Sequence, residues 1–328
     1  MDYKLSNVRP SKPDYRDYSY GRMFNVKAAV DTLPKSAMLP TVPTQFFEDQ
    51  GRFGTCVGNA TAYDMDFRAN FQQTFSRLFI YVMCKQLDGN TDEGTDPRTA
   101  MQVLQKYGAC LESTMPYSLL TDIHNLPKPT QAMLDEAAKY KIGSYARIQT
   151  LDEIKHAIAN GYPVNFASWV CSNFIHPEQN KFIPKPEGTI LGGHDYNIVG
   201  YDDNLEYTYS NGEHYKGFVR ILNQWGTSWA DGGYAWIPYD VITGYVAQDL
   251  KAPFMMEAWV ITDYALQPTP QPQPRPQPTP QPQPKPQPQP APQKLYRVQV
   301  GAFKDPKNAQ ALLDELKAKG FNGYIKYE

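Results

Sequence analysis

The sequence predicts an α+β chain of two side-by-side lobes with a cleft between them, followed by a spacer and a small tail. Three observations carry this. Helical periodicity is concentrated before Gly161 and strand-like runs follow it, the signature of segregated α+β rather than alternating βαβ units. Thirteen of the 29 prolines stand at every even position from Pro268 to Pro292. A shorter strand-and-helix pattern then occupies the end of the chain. The expected divisions are an N-terminal extension at 1–32, the main domain at 33–266, a Pro/Gln-rich linker at 267–293 and a tail at 294–328.

Residues 1–32 show little periodicity. The run from Arg9 to Tyr18 is rich in Tyr, Pro and charge, so it should be extended and lie on the domain, either across the cleft or as a strap on its back. A helix is expected from Cys56 to about Gln73, preceded by the glycine-bearing turn Gln50–Thr55, with Thr55 a good N-cap type. Further helices fit Arg77–Lys85, Pro97–Tyr107, Thr130–Lys139 and Leu151–Asn160, Pro97 being acceptable in a first turn. Strands rich in Val, Ile, Tyr and Phe fit Pro163–Ser168, His194–Tyr201, Gly217–Leu222, Gly233–Ile237 and Glu257–Thr262, with Asp202–Asn204 as a turn. The linker has no large apolar residue and should adopt extended polyproline II, reaching roughly 80 Å at about 3.1 Å per residue. It reads as a spacer, with a ligand for an aromatic groove as the lesser alternative, since no PxxP context in it is distinctive. In the tail Tyr296, Val298 and Val300 alternate as in a strand, Ala309, Leu312, Leu313 and Leu316 follow helical spacing, and Phe321–Tyr327 reads as a second strand.

Composition narrows the function classes. Hydrophobic residues are 41% of the chain, enough for a sizeable core, and the formal net charge of −2 argues against a nucleic-acid partner. The charge is uneven: the tail holds seven basic against four acidic side chains, while the main domain is acidic. No run of 18 apolar residues is present, so no membrane-spanning helix is expected. Met1–Ser6 has no apolar stretch of the signal-peptide kind; a cell-envelope or secreted location needs an upstream leader, and a cytoplasmic one does not. Four cysteines are too few for a disulfide scaffold. There is no P-loop, dinucleotide fingerprint or close-spaced metal-ligand pair, and Asp88–Gly94 departs from a calcium loop at Glu93 and Thr99, so no cofactor or metal is expected.

The chemistry-bearing residues are Cys56, His194 and Asn223. A thiol is a useful nucleophile as thiolate, which a helix N-terminus and a paired imidazolium both stabilise, and Cys56 stands where a helix should begin. His194 follows Gly192-Gly193 and opens a strand; Asn223 could hold its imidazole in one tautomer, with Trp225 covering that bond. The side-chain N–H of Gln50 could join the Cys56 backbone N–H in an oxyanion hole. Singly, each has a bland reading: a small buried thiol, a structural histidine, a turn. In order, on a helical then a β lobe, the set is specific.

Gln50-Gly51-Arg52-Phe53-Gly54-Thr55-Cys56, Gly193-His194 and Asn223-Gln224-Trp225-Gly226-Thr227-Ser228-Trp229 resemble the three signature blocks of papain-like cysteine peptidases, over roughly 33–262. The resemblance implies a two-lobed fold with a β-barrel-like second lobe. It implies hydrolysis of a peptide or protein substrate, with Cys56 as nucleophile, His194 as general base, Asn223 as orienter and Gln50 as oxyanion donor. It also implies substrate contacts from Gly94, Thr95, Pro97, Ala167, Gly193, Asp195 and Trp225. In that family the residue after the histidine lines the pocket for the side chain two residues before the scissile bond; here it is Asp195, where bacterial relatives often show Ala. Phe53 replaces a cysteine that forms a disulfide in the family, so Cys84, Cys110 and Cys171 are expected free and mostly buried. Leu295–Phe303 resembles the opening strand of a SPOR domain, a module that binds peptidoglycan, although only half of such a module is present. This raises two alternatives, a peptidase acting on peptidoglycan cross-bridge peptides and a non-catalytic wall-binding protein; the intact Gln50, Cys56, His194, Asn223 set argues against the latter.

Overall fold

The computed structural model describes residues 8–247, 252–263 and 305–319. They fall into two compact units, one within Met1–Gln271 and one within Pro272–Glu328. The first unit begins with short helices α1 (Tyr20–Met23) and α2 (Val26–Ala29) and strand β1 (Ser36–Met38). Four longer helices follow: α3 (Cys56–Arg68), α4 (Arg77–Asp88), α5 (Pro97–Lys106) and α6 (Gln131–Ala137). Strand β2 (Tyr145–Ile148) and helix α7 (Leu151–Ala159) lead into β3 (Val164–Cys171), β4 (Ile190–Thr208), β5 (His214–Leu222) and β6 (Tyr234–Pro238). The turn of helix α8 (Tyr239–Ile242), the small pair β7 (Tyr245–Ala247) and β8 (Ala252–Pro253), and β9 (Met255–Ile261) complete the unit. In the second unit, α9 (Pro306–Ala318) matches the helical spacing of Ala309, Leu312, Leu313 and Leu316. The two tail strands expected beside it, and the linker, lie outside the described residues.

Helix boundaries follow local chemistry. The Ser76 hydroxyl accepts the Phe79 N–H to start α4, and Gly89, at φ +65°, ends it in the left-handed region. Asp96 caps α5 with Pro97 at its first position. Helix α3 departs from expectation twice. Thr55 precedes it without capping; its hydroxyl instead meets the Tyr117 hydroxyl at 2.6 Å. The helix ends at Arg68, because Asn70 and Phe71 turn left-handed while the Phe71 ring is held against Phe46 and Phe67.

The strands form one mainly antiparallel sheet in the order β2-β9-β3-β4-β5-β6, with β1 also paired to β4. This order sets β9 beside β3, although some eighty residues of chain separate them. Asp202–Asn204 is not a break between strands. Asp202 does accept the Asn204 N–H in a local turn, yet β4 continues through a register shift between Asp202 and Glu206 and pairs with β5 on both sides. One apolar cluster fills the helical lobe and another lies under the sheet. Helix α3 is buried along nearly its whole length between them. The extension before Leu33 joins this packing: Tyr20 is fully buried and its hydroxyl lies 3.0 Å from His156 Nδ1, and Val26 enters the sheet-side core.

Candidate active site

Cys56 is the first residue of α3, the end of the helix where N–H groups lack intrahelical partners and the dipole favours an anion. His194 and Asp195 lie on β4, opposite Ser168 and Ala167 of β3. The Asp195 backbone N–H donates to Cys56 Sγ at 3.3 Å, which brings the histidine strand onto the thiol. His194 Nε2 lies 2.8 Å from Asn223 Oδ1. That oxygen also accepts the Gln224 N–H at 2.9 Å. An amide oxygen only accepts, so the imidazole proton belongs on Nε2 and Nδ1 keeps its lone pair. Nδ1 is buried and forms no hydrogen bond with the described residues.

The imidazole is packed on both sides. Trp225 stacks on it with centroids 4.9 Å apart, and Phe174 meets it edge-on at 6.1 Å. Trp225 had been expected there from sequence; Phe174 carried no sequence signal, since it lies in a single 3₁₀ turn after β3. Burial pulls the His194 pKa down to about 4, and the Asn223 bond only partly offsets this. Gln50 is fully buried against the same segment: its backbone N–H donates to Gln224 O, and its Nε2 donates to Phe53 O at 2.9 Å. Tyr117 ties the loop together, donating to Gln50 O at 2.9 Å while bonded to Thr55.

Several of the expected substrate-contact residues are engaged or buried within the protein. Gly94 is reached through Glu93, which accepts the Gly54 N–H at 2.9 Å. Its own backbone is engaged within the protein, by the Tyr81 hydroxyl and by Lys85 Nζ at 2.8 Å. The Thr95 hydroxyl is spent on Asp88. Pro97 and Ala167 are buried, Ala167 in the same apolar cluster as Cys56. Cys84, Cys110 and Cys171 are free and buried, as the loss of the family's disulfide partner at Phe53 implied.

The N-terminal segment reaches this centre. Val8 is buried in the cluster that holds Cys56 and Ala167. A side chain at Gly193 would collide with Val8 and with Met256. Arg9 pairs with Asp92 at 2.7 Å, Ser11 Oγ donates to Glu257, and Arg98 bridges Asp14 and Asp17 at 2.7 Å each. The Arg147 N–H then donates to Tyr18 O, fastening the segment to β2. Residues 8–18 thus run from the histidine strand outward across the helical lobe.

Known proteins resemble this chain in sequence and in fold. Residues 41–253 match the model of the papain family of cysteine proteases, and 292–328 match that of the SPOR domain. A peptidase C1-like protein of Acanthamoeba polyphaga mimivirus is 30% identical over 77% of this chain and 85% of its own length. Cysteine proteinase 3 of Entamoeba histolytica is 27% identical over 64% of each chain. The crystal structure of xylellain, a cysteine protease from Xylella fastidiosa, superposes with a TM-score of 0.65 at 29% identity, covering 80% of this chain and 97% of that one. On its sequence blocks, its α+β fold and these matches, the chain belongs to the papain family of cysteine proteases.

Proposed function

We propose that peptide hydrolysis runs through Cys56, His194 and Asn223, with Gln50 completing the oxyanion hole. The observation that carries this is the hydrogen-bond assignment at His194: Nε2–H is committed to Asn223, Nδ1 is not spent, and the next residue's N–H touches Cys56 Sγ. Nδ1 takes the Cys56 S–H proton, and the thiolate attacks the substrate carbonyl carbon. A C–S bond forms and the carbonyl π pair moves to oxygen. The Cys56 backbone N–H and a Gln50 Nε2–H stabilise that oxyanion. Collapse re-forms the carbonyl and breaks the C–N bond, and the imidazolium gives its proton to the departing amine. Water, deprotonated by Nδ1, then hydrolyses the thioester and regenerates the thiol. Cys56→Ala and His194→Ala are each expected to abolish turnover with the fold intact, because the pair acts as a unit. Peptidase activity retained in Cys56→Ala would falsify this mechanism.

Residues 8–18 act in this reading as a cover that must move for substrate to enter. Its support is the contact of Val8 with Gly193 and the three polar ties that follow. A second reading concerns where the peptidase works. The SPOR match at 292–328 and the basic character of the tail favour delivery to peptidoglycan, whose cross-bridge peptides would then be the substrate.

A further inference from the structure

Resting on the assignment of Cys56, His194, Asn223 and Gln50, we propose that Gln224 is a positioning residue, fixed by a buried relay of side-chain amides that runs through Asn197 to Asp64 on the helix that Cys56 begins. Gln224 touches both halves of the centre through its backbone. Its N–H donates to Asn223 Oδ1 at 2.9 Å, and its carbonyl accepts the Gln50 N–H at 2.9 Å. Its side chain serves a different partner: Nε2 donates to Asn197 Oδ1 at 3.2 Å. Asn197 follows His194 on β4 and is paired with Asn165 of β3. Residues directly opposite in antiparallel strands share a face, so both amides meet α3 together. Asn197 Nδ2 donates to Asp64 Oδ1 at 2.8 Å, and Asn165 Nδ2 donates to Asp64 Oδ2 at 3.0 Å. Asp64 shares α3 with Cys56 and stands about 12 Å further along it. The Cys56 helix, the His194 strand and the Asn223 turn are thus joined by one line of hydrogen bonds.

Asp64, Asn165, Asn197 and Gln224 are all buried, Asp64 being the most exposed of them at 3%. At that depth water does not replace a lost partner, so an unmade link costs the full desolvation of its groups. The polarity of the relay is fixed as well. Asn197 Nδ2 also donates to Ala60 O at 3.2 Å, and a backbone carbonyl only accepts. The Asn197 amide therefore cannot turn over; its oxygen must face Gln224, and Gln224 must answer with an N–H. This holds in either form of Asp64, whose carboxyl burial pushes well above its usual range against the pull of the two amides. Apolar contact between the lobes is non-directional and does not by itself set a strand's position along a helix. Catalysis is sensitive to that position, since a misplacement of about 1 Å can cost on the order of 10²-fold. The relay supplies the direction that packing lacks. Gln224 passes it to the imidazole through Asn223 and to the oxyanion donor through Gln50.

The test uses the full chain and one small peptide substrate, with rates referred to folded protein. Gln224→Met keeps the backbone bonds and the side-chain length but removes the donor. Its kcat should fall about tenfold with KM within about twofold, part of the loss that full misplacement brings. In an Asn223→Ala background the same substitution should cost no more than about threefold, because its route to the imidazole is gone. Asp64→Leu removes both acceptors and should also lower kcat. Asp64→Asn keeps an acceptor for Asn197 and offers an N–H to Asn165 Oδ1, which has no partner, so it should recover most of that loss. Tyr209→Phe is the control for stability alone: it removes a buried bond to Ile183 O outside the centre, and should lower the unfolding temperature without changing kcat. If Asp64→Leu does not fold, the Gln224–Asn223 cycle decides. Unchanged kcat in folded Gln224→Met, losses that simply add in the double variant, or an equal fall in Tyr209→Phe overturns the relay while the centre stands. Turnover that survives Cys56→Ala, or is untouched by Asn223→Ala, overturns the centre instead, and an unaltered chain with no turnover overturns both.

Discussion

At the scale of single residues, the His194 tautomer follows from what Asn223 can and cannot do. Its Oδ1 accepts the Gln224 N–H and so faces the ring as an acceptor, which assigns the ring proton to Nε2. Asn223→Ala removes that constraint, and kcat should fall on the order of 10², the lower range of what a positioned acid–base group supplies. Gln50→Ala should cost on the order of 10²–10³ in kcat with little change in KM, the loss typical of one oxyanion donor. A Gln50→Ala enzyme within a few-fold of the unaltered rate would remove it from the hole. The proposed catalytic positions stand out in the sequence because each carries a local marker: a glycine turn before a helix, paired glycines before a strand, an Asn-x-Trp-Gly turn. Glu257 carried no such marker. It lies across Ala167 of β3 from Asp195 only because the sheet order sets β9 beside β3, and adjacency of non-consecutive strands is not written in either strand's own residues.

At the scale of elements, the long helices were legible because their caps are local, and the strands because β-branched and aromatic runs are. Helices α1 and α2 were not, since four residues each give no period to read. Strand β2 was missed between two stronger helical signals, and its pairing with β9 is tertiary. The N-terminal strap is the element with the most to test. Arg98 holds both Asp14 and Asp17, so Arg98→Ala should loosen the strap and raise kcat/KM on small peptides several-fold. A chain beginning at Ser19 keeps Tyr20 and Val26 in the core and should show a larger rise. Folded protein with unchanged kinetics in both cases would place the strap outside the path of substrate.

At the scale of the whole molecule, several carboxyls are buried without full compensation. Burial lifts Glu257 to about 7, Glu48 to about 8 and Asp66 to about 9. Each holds its proton in the folded state where the unfolded chain releases it above about pH 4–4.5, so stability falls as pH rises from there to the folded value. His194 works the other way, at lower pH. It is held neutral down to about 4 while the unfolded imidazole charges below about 6.5, so stability is lost as pH falls through that window. Above pH 6.5 the carboxyls dominate, and the raised Cys84, Cys110 and Cys171 thiols add a contribution of the same sign as pH nears 8. Thermal unfolding temperature should therefore decline from pH 6.5 to 8, by about 1.4 kcal/mol of stability per pH unit for each carboxyl still protonated. Glu48→Gln should flatten the slope, and a flat or rising profile in the unaltered chain would contradict these assignments. The tail makes a separate prediction. Removing 267–328 should leave small-peptide hydrolysis intact and reduce co-sedimentation with purified peptidoglycan; equal sedimentation of both forms would dispose of the delivery role.

One measurement reaches the central claim most directly: treatment with an epoxide inhibitor of cysteine peptidases, then intact mass and peptide mapping. Burial raises the thiols of Cys84 and Cys171 above their usual range and lifts Cys110 to about 12, so none of the three should be a thiolate near neutral pH. A single adduct is expected, on Cys56, formed in step with loss of activity and strongly slowed in His194→Ala. An adduct on any other cysteine that accompanies inactivation, or full activity with Cys56 modified, would contradict the account.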